Sequence, residues 1–396
     1  MTYGKFSRFT KWLGFYFFLL ILGTVNIGTF GSCLKLIAII PALIWLIDSR
    51  RFTPSTILLS FLLFLVWAFA SSVWSIDLNK TIQRIFSQVS FCFLLIAVSG
   101  YKYGEDEIVY LKRCLIASSR LTALVVLISG SYYEGRIYLR GIVNEDPNYL
   151  CAYFLFGIVA ALLDLFGTAK KVRKLTCLAE IVIYAYIVIA SGSRGGLLAI
   201  LVSVLCTFLY KPKSEQGRHR GGFAIIISIP VLFAVALVAS KFIDAEILNR
   251  FSVESILTSQ GTGRFGLWRD AFNAYRNSSL FREFAGYGTA TAIDITYLFP
   301  FERHNVFHNM FVETLLELGI VGELLYIAHI VVFVKSSKRE TAPFCFAVVC
   351  GMIALSISTS IYSFTPYWNI MLFIMCISQR NGEADESKYC STDIQC

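Results

Sequence analysis

Long apolar runs alternate with short polar connections along most of the chain. About twelve runs are long enough, or nearly so, to cross the roughly 30 Å hydrocarbon core of a bilayer as helices. They lie near residues 12–30, 32–48, 54–74, 84–100, 114–130, 149–168, 176–191, 195–210, 223–240, 316–334, 342–361 and 365–379. This pattern predicts an all-α polytopic membrane protein of about 12 transmembrane helices.

Basic residues concentrate in alternate connections. They precede the first run and follow the second, fourth, sixth, eighth and tenth, as in Arg50 and Arg51 or in Lys335, Lys338 and Arg339. Cytoplasmic loops of membrane proteins carry an excess of Lys and Arg. Both termini are therefore predicted to be cytoplasmic. The turns 75–83, 131–148 and 192–195, the polar segment 241–315 and the turn around Tyr362–Trp368 then share the opposite face.

The same runs divide the chain into four parts. Residues 1–240 are predicted to hold transmembrane helices 1–9, and residues 316–379 to hold helices 10–12. Between them, residues 241–315 form one large loop with amphipathic helices. Residues 380–396 form a cytoplasmic tail, and the polar sequence from Gln379 onward predicts disorder.

Composition agrees with a membrane protein and excludes several other classes. Of the 396 residues, 56% are hydrophobic and 15% aromatic, and the mean hydropathy is +0.66, which a water-soluble globule does not reach. The net charge of +9 suits topology-setting loops and anionic lipid better than nucleic acid. No P-loop and no GxGxxG follows a strand, so a soluble nucleotide site is not indicated.

The stretch His304 to Gly322, HNVFHNMFVETLLELGIVG, carries the clearest candidate chemistry. On a helix, His304 and His308 would share one face, as would Glu313 and Glu317. An imidazole titrates near neutral pH and can remove a proton from a hydroxyl without a metal. Spacing alone does not decide which histidine would be the base, and a histidine packed locally in the loop is the structural alternative.

Two further features of this stretch bear on its function. A metal site built on His-x-x-x-His is the weaker alternative, because the stretch lacks the glutamate of HExxH and an obvious third ligand. Gly319 and Gly322 would let a backbone or a bulky ligand come close before the chain enters the bilayer.

Arg194 lies in SGSRGG, where Gly192, Gly195 and Gly196 surround an arginine at a predicted helix end. Such glycines would let a large anionic group reach the guanidinium, whose geometry suits phosphate oxygens. The structural alternative is an arginine that extends to the interface and anchors the turn. Because the turn is predicted to be non-cytoplasmic, where basic residues are less common, a functional arginine is favoured.

Arg264 begins an amphipathic segment, GTGRFGLWRDAF, that would rest at the membrane interface. There it would direct its guanidinium at the headgroup plane, although Arg269 and Arg276 on the same segment are equally charged and could form a solvated face. In the NEDPN turn, Asp146 or Asn148 could cap the following helix, or contact a sugar. Lys35 and Arg120 are predicted to face the protein interior, with no assigned role.

Taken together, these features resemble the O-antigen ligase and polymerase superfamily of bacterial envelope glycosyltransferases. The resemblance rests on the arginines of SGSRGG and GTGRFGLWRDAF and on HNMFVETLLELGIVG, with weaker similarity in the SVWSID and NEDPN turns. The family pattern places asparagine directly after the histidine, glutamate nine residues after it and glycine eleven after it. His308, Asn309, Glu317 and Gly319 match this spacing, so the resemblance favours His308 over His304.

The resemblance implies an enzyme of the bacterial inner membrane, active at the periplasmic face, with a fold like that of the GT-C membrane glycosyltransferases. Such an enzyme moves a glycan from undecaprenyl diphosphate to a sugar hydroxyl, with inversion and without a metal or other cofactor. His308 would be the general base and Arg194 and Arg264 would bind the donor diphosphate, with possible support from His304, Asn309, Glu317, Asp146 and Asn148.

Three alternatives follow for the activity. A ligase in lipopolysaccharide biosynthesis would use lipid A–core as acceptor. A polymerase of O-antigen, capsule or exopolysaccharide would use a second lipid-linked glycan, with the same chemistry. A flippase or other transporter of lipid-linked oligosaccharide is the remote alternative, since transporters place charges within the span core and often contain an internal repeat, whereas here the candidates collect on one face.

Overall fold

A computed structural model of the chain describes residues 6–25, 32–48, 52–133, 135–139, 147–167, 169–210, 243, 245–258, 263–339, 343–360 and 364–380. The longer helices are Arg8–Phe18, Cys33–Asp48, Thr56–Ala70, Leu78–Ser99, Glu105–Ser129, Leu155–Phe166, Lys171–Ala190, Arg194–Leu209, Arg264–Arg276, Met310–Arg339, Pro343–Ser356 and Thr365–Ser378. Short helices span Pro147–Ala152, Ala245–Asn249, Val253–Thr258, Leu280–Ala285 and Ala292–Leu298. The predicted all-α class is confirmed, with one small antiparallel hairpin of Ser131–Tyr133 and Arg136–Tyr138 as an addition.

Several helices have the length and apolar character of membrane spans. Among the described residues, four stretches are long and apolar enough to cross a membrane: Thr56–Val73, Leu78–Ser99, Pro147–Phe166 and Met310–Ser337. Shorter apolar helices are Arg194–Leu209, Pro343–Ser356 and Thr365–Ser378. All of these coincide with predicted runs. The predicted run 223–240 lies outside the described residues, and both the number of about 12 spans and the four-part division stay predictions.

The helix Thr365–Ser378 lies at the centre of the bundle, with nearly all of its side chains buried. Its Trp368 stacks on Phe91 with ring centroids 4.6 Å apart and meets the edge of Phe61 at 4.8 Å. The neighbouring Tyr367 hydroxyl lies 2.8 Å from Nε2 of His329, whose Nδ1 is 3.0 Å from the Ser60 hydroxyl. His329 is therefore a packed core histidine with a partner for each ring nitrogen.

One end of the bundle is closed by contacts among the chain segments that precede or follow several helices. The backbone N–H of Tyr103 donates to Gln379 O, and Arg380 pairs with Glu105 at 2.9 Å. At the same end, Thr10 donates to Glu107 over 2.6 Å. The prediction of disorder from Gln379 onward is wrong for Gln379 and Arg380, because Gln379 binds Tyr103 just before the helix Glu105–Ser129 and Arg380 binds Glu105 at its start. Residues 381–396 lie outside the described part.

Lys35 and Arg120 were both predicted to face the protein interior, and for Arg120 this prediction is wrong. It is exposed and pairs with Glu180 at 3.1 Å, beside a second pair of Arg173 with the same glutamate. The helix Glu105–Ser129 turns Arg120 toward the outer surface, where an acid on the adjacent helix compensates its charge. Lys35 is half-buried and donates to the Ser87 hydroxyl.

Candidate functional site

At the other end of the bundle, residues 285–292 run between the turn 71–77 and the first turns of the helix Met310–Arg339. The backbone N–H groups of Tyr287 and Gly288 donate to the carbonyl oxygens of Leu316 and Glu317 over 3.0 and 2.8 Å. On the other side, the N–H of Ile76 donates to Tyr287 O over 2.9 Å. Three segments far apart in the sequence are thus joined through their backbones.

The helix Met310–Arg339 breaks at Gly319, which has φ +68°. A Cβ there would meet the backbone oxygen of Phe284, so only glycine fits. Beside the break, the carbonyl oxygen of Leu318 accepts a hydrogen bond from the indole N–H of Trp67 over 2.9 Å. The prediction that Gly319 allows close backbone approach is confirmed. At Gly322, a Cβ would meet the side chain of Leu318 and, at 3.2 Å, that of Trp67.

Glu313 and Glu317 lie four residues apart before this break, and both side chains are buried. The carboxylate of Glu317 accepts hydrogen bonds from the backbone N–H groups of Ala290 (2.9 Å) and Ala292 (3.0 Å). Glu317 therefore holds the loop 290–292 against the helix. The predicted supporting role of Glu317 in the reaction stays a prediction.

His308 lies just outside the helix, at a backbone φ of +50°, which is uncommon for a residue other than glycine. Its side chain is half-buried. The next residue, Asn309, begins the helix: its Oδ1 accepts hydrogen bonds from the N–H groups of Phe311 (3.0 Å) and Val312 (3.3 Å). Asn309 is thus a helix cap, which accounts for its place after the histidine.

The expectation that His304 and His308 share a helical face is wrong, because the helix begins only at Met310. His304 is exposed, and its ring stacks on Tyr297 with centroids 4.1 Å apart. Its Nδ1 lies 3.2 Å from the Thr296 hydroxyl. His304 therefore matches the structural alternative of a histidine packed locally in the loop.

Arg264 is the first residue of the helix Arg264–Arg276, preceded by Gly263 at φ +78°. One turn later on the same face, the indole N–H of Trp268 donates to Phe307 O over 2.9 Å. Phe307 is the neighbour of His308. The start of the Arg264 helix is therefore attached directly to the His308 segment.

Arg194 is likewise the first residue of its helix, Arg194–Leu209, which Ser193 caps by accepting the N–H of Gly196 over 2.9 Å. The Arg194 guanidinium donates to Arg250 O over 2.7 Å and to the Ser255 hydroxyl over 2.9 Å. These contacts join the end of the bundle to residues 245–258 of the large loop.

The glycines after Arg194 do not leave an open approach to it. A Cβ at Gly195 would meet the side chain of Ser358, and one at Gly196 would meet that of Cys151. These positions are small because neighbouring helices pack against them. The expectation that Gly195 and Gly196 admit a bulky anion is therefore wrong.

Asn148 is the second residue of the helix Pro147–Ala152 and is buried. Its Oδ1 accepts a hydrogen bond from the Ser193 hydroxyl over 2.7 Å, so it supports the turn that presents Arg194. Asn148 lies inside its helix and therefore does not cap it, whereas Pro147 occupies the first helical position. Asp146 lies outside the described residues.

The Arg194 and His308 segments meet through the turn 358–360. Ser358 packs against Gly195, and the Ser360 carbonyl accepts the Tyr149 hydroxyl over 3.1 Å. The side chain of Ser360 in turn lies against the carboxyl of Glu313, which also faces the backbone N–H of His308. The structure thus brings Arg194, Arg264 and His308 to one end of the bundle, connected by intervening residues.

Three arginines that sequence reasoning did not assign also lie at this end. The charge of Arg84, on the helix Leu78–Ser99, acts on both Glu313 and Glu317. A Cβ at Gly192 would lie 3.1 Å from Nε of Arg136 and 3.3 Å from Nε of Arg250. Arg136 also donates to Ser191 O over 2.7 Å. No sequence pattern marks Arg84 or Arg250, because each depends on a partner distant in the chain.

The described residues contain no group of three or more His, Cys, Asp and Glu side chains that could hold a metal ion.

Comparison with known proteins assigns a family to this part of the chain. A family model described as O-Antigen ligase matches residues 179–327, which include Arg194, Arg264 and His308. The comparison with curated proteins gave no match. The match covers less than half of the 396 residues, and it contains all three segments on which the resemblance chiefly rests. Residues 179–327 therefore match the O-antigen ligase domain, and this match supports the resemblance to the O-antigen ligase and polymerase superfamily.

Proposed function

We propose that this protein is a membrane glycosyltransferase of the O-antigen ligase type. It transfers a glycan from undecaprenyl diphosphate to a sugar hydroxyl of lipid A–core at the periplasmic face of the bacterial inner membrane. The observation that carries the proposal is the meeting of the Arg194 helix start and the His308 segment at the turn 358–360. A polymerase that uses a second lipid-linked glycan as acceptor needs the same groups and is the alternative outcome.

In the proposed reaction, the acceptor hydroxyl oxygen attacks the anomeric carbon of the donor sugar. The bond between that carbon and the diphosphate oxygen breaks, and its electron pair leaves with undecaprenyl diphosphate. Attack from the side opposite the leaving group inverts the anomeric centre. His308 takes the hydroxyl proton as the new bond forms.

Arg194 and Arg264 stabilise the negative charge that gathers on the leaving diphosphate. Guanidinium groups form charge-assisted hydrogen bonds with phosphate oxygens, and donors positioned for a developing charge lower the barrier more than donors that bind the ground state. Each arginine is the first residue of a helix, where the positive end of the helix dipole adds to the attraction for an anion.

The experiment is a transfer assay with the purified full chain in lipid nanodiscs. Undecaprenyl-diphosphate glycan is supplied with lipid A–core, or with a second portion of lipid-linked glycan, in the presence of a chelator. We expect glycan on lipid A–core; longer lipid-linked chains would instead identify a polymerase. No product from either acceptor, combined with movement of the lipid-linked glycan across the bilayer, would establish a transporter.

Two kinds of variant test the assigned roles. His308→Ala is expected to lose on the order of 10²–10⁴ in transfer rate while donor binding persists. Arg194→Ala and Arg264→Ala are each expected to lose on the order of 10²–10³. Phe272→Leu, on the exposed side of the Arg264 helix, serves as the matched control at the wild-type rate. Wild-type transfer by His308→Ala would overturn the mechanism.

A further inference from the structure

His308 adopts a backbone conformation that its own sequence does not favour. Its φ is +50°, in the left-handed region, which costs a residue with a Cβ on the order of 1–3 kcal/mol unless the surroundings fix it. It also belongs to residues 299–309, a segment without regular helix. Contacts from outside this segment must therefore fix the backbone that carries the imidazole.

The carboxyl of Glu313 is the contact best placed to do so. It faces the backbone N–H groups of Phe307 and His308 and the side chain of Ser360. The Glu313 side chain is buried, and its Oε1 has no hydrogen-bond partner among the described residues. A carboxyl in this position can accept from the backbone N–H groups of Phe307 and His308.

Glu317 forms backbone hydrogen bonds one helical turn later. It accepts the N–H groups of Ala290 and Ala292, so the two glutamates face the backbones of different segments at the start of the same helix. The two carboxyls lie on one face at i and i+4, where like charges repel each other. Burial strengthens this repulsion because the surroundings screen the charges poorly.

Arg84 provides the compensating charge. It lies on the helix Leu78–Ser99, and its guanidinium is close enough to act electrostatically on Glu313, on Glu317 and on Lys35 of the helix Cys33–Asp48. The half-buried Arg84 is thus a cation near both carboxyls. Removal of one partner from a buried ion cluster is costly because the remaining charge stays buried.

We propose that Arg84, Glu313 and Glu317 are positioning residues that hold the His308 segment in the geometry needed for glycan transfer. The proposal rests on the proposed function. In this proposal Glu313 holds the backbone of His308, Glu317 holds the loop 290–292 beside it, and the nearby Arg84 attracts both carboxyls and keeps them in place. None of the three touches the reacting atoms.

The test combines removal of the cation with removal of one acid. Arg84→Gln leaves two buried carboxyls without their cation, and kcat is expected to fall on the order of a hundredfold, as for a small misplacement of a catalytic group, with KM nearly unchanged. Glu313→Gln in the Arg84→Gln background removes one negative charge and keeps an acceptor oxygen. We expect this double variant to recover to within about tenfold of the wild type.

Glu313→Ala and Glu313→Gln separate the acceptor oxygen from the charge. The glutamine can still accept from the His308 N–H and should retain most of the activity, whereas the alanine cannot and should lose it. Arg120→Gln is the matched control, because Arg120 pairs with Glu180 on the outer surface of the bundle. It should transfer at the wild-type rate.

Hydrogen–deuterium exchange of the peptide 303–309 gives a readout that does not depend on activity. Arg84→Gln should speed exchange in this peptide, and the double variant with Glu313→Gln should slow it again. Unchanged exchange and unchanged kcat in Arg84→Gln would overturn the positioning role while leaving the proposed function intact if His308→Ala is inactive. Failure of the wild type to transfer to either acceptor would instead reject the proposed function.

Discussion

The indole N–H of Trp268 donates a hydrogen bond to the backbone carbonyl oxygen of Phe307 over 2.9 Å. This bond attaches the helix that begins with Arg264 to the segment that carries His308. Under the proposed function, it fixes the separation between a group on the leaving diphosphate and the general base. Loss of this bond would keep Arg264 and His308 in the chain but would let the distance between them vary.

Trp268→Phe retains an aromatic ring and removes the donor. A neutral hydrogen bond contributes about 1 kcal/mol, and loss of that amount would lower the transfer rate about fivefold. Initial rates with lipid-linked donor check this, with Phe272→Leu on the exposed side of the same helix as the control. A wild-type rate in Trp268→Phe would show that the bond does not position the two groups.

The two histidines of the loop are expected to differ sharply. His304 is exposed, stacks on Tyr297 and bonds to Thr296, so His304→Ala removes a surface contact and should keep the transfer rate within about threefold of the wild type. His308→Ala should lower the transfer rate by on the order of 10²–10⁴. The same assay compares the two variants at matched protein levels. Equal losses would mean that both imidazoles take part in the reaction.

Gly319 and Gly266 form a matched pair for glycine replacement. Gly319→Ala meets the backbone of Phe284 at a φ of +68°, and the unfolding free energy should fall by at least about 1–3 kcal/mol. Gly266 has nothing within 4 Å of an added Cβ and lies inside a helix, so Gly266→Ala should raise stability by about 0.5–1 kcal/mol. Thermal unfolding in detergent compares them, and a stable Gly319→Ala would contradict the tight backbone contact.

Asn309 is expected to affect stability through its cap. Its Oδ1 accepts two backbone N–H groups at the start of the helix Met310–Arg339, and replacement of a capping Asn by Ala costs about 1 kcal/mol. Asn309→Ser keeps a capping oxygen and should be close to the wild type in thermal unfolding. If the serine and alanine variants unfold at the same temperature, capping is not the role of this residue.

Local sequence patterns predicted much of this arrangement. Apolar runs such as 54–74 and 195–210 match helices in the structure, since each contains an uninterrupted apolar stretch of the right length. The close backbone approach at Gly319 also followed from sequence, because a glycine between a polar and an apolar segment marks a place where backbones can meet, whereas the break of the helix there did not. The placement of Arg194 and Arg264 at helix starts agrees with the glycines that precede them.

Features that depend on distant partners could not be predicted in this way. In the sequence, Arg84 is simply a cation at the start of the apolar run 84–100. Only the folded bundle brings it near Glu313 and Glu317. Helical spacing suggested that His304 and His308 share a face, whereas the cap at Asn309 starts the helix after both. Gly195 and Gly196 suggested an open approach, whereas side chains of other helices occupy the space.

The last prediction concerns Asp77, which caps the helix Leu78–Ser99. Its Oδ1 accepts the backbone N–H of Lys80 over 3.1 Å, and this bond is the main reason that the pKa of Asp77 lies below its ordinary value. The Lys80 ammonium pairs with Asp77 at 3.3 Å and also with Asp294 of the large loop at 2.5 Å. Asp77 thus caps the helix next to the Lys80–Asp294 ion pair, which contacts the large loop. That loop leads to the segment that carries His308.

Because the folded state lowers the pKa of Asp77, its ionised form stabilises the protein above the ordinary carboxyl pKa of about 3.9. That stabilisation is lost as the pH falls through the lower, folded-state pKa. Asp77→Asn keeps a capping oxygen but has no charge to lose. The difference in unfolding temperature between wild type and Asp77→Asn should therefore be constant above about pH 5 and shrink toward pH 3. A difference that does not change with pH would show that the charge of Asp77 makes no contribution and that its capping oxygen acts alone.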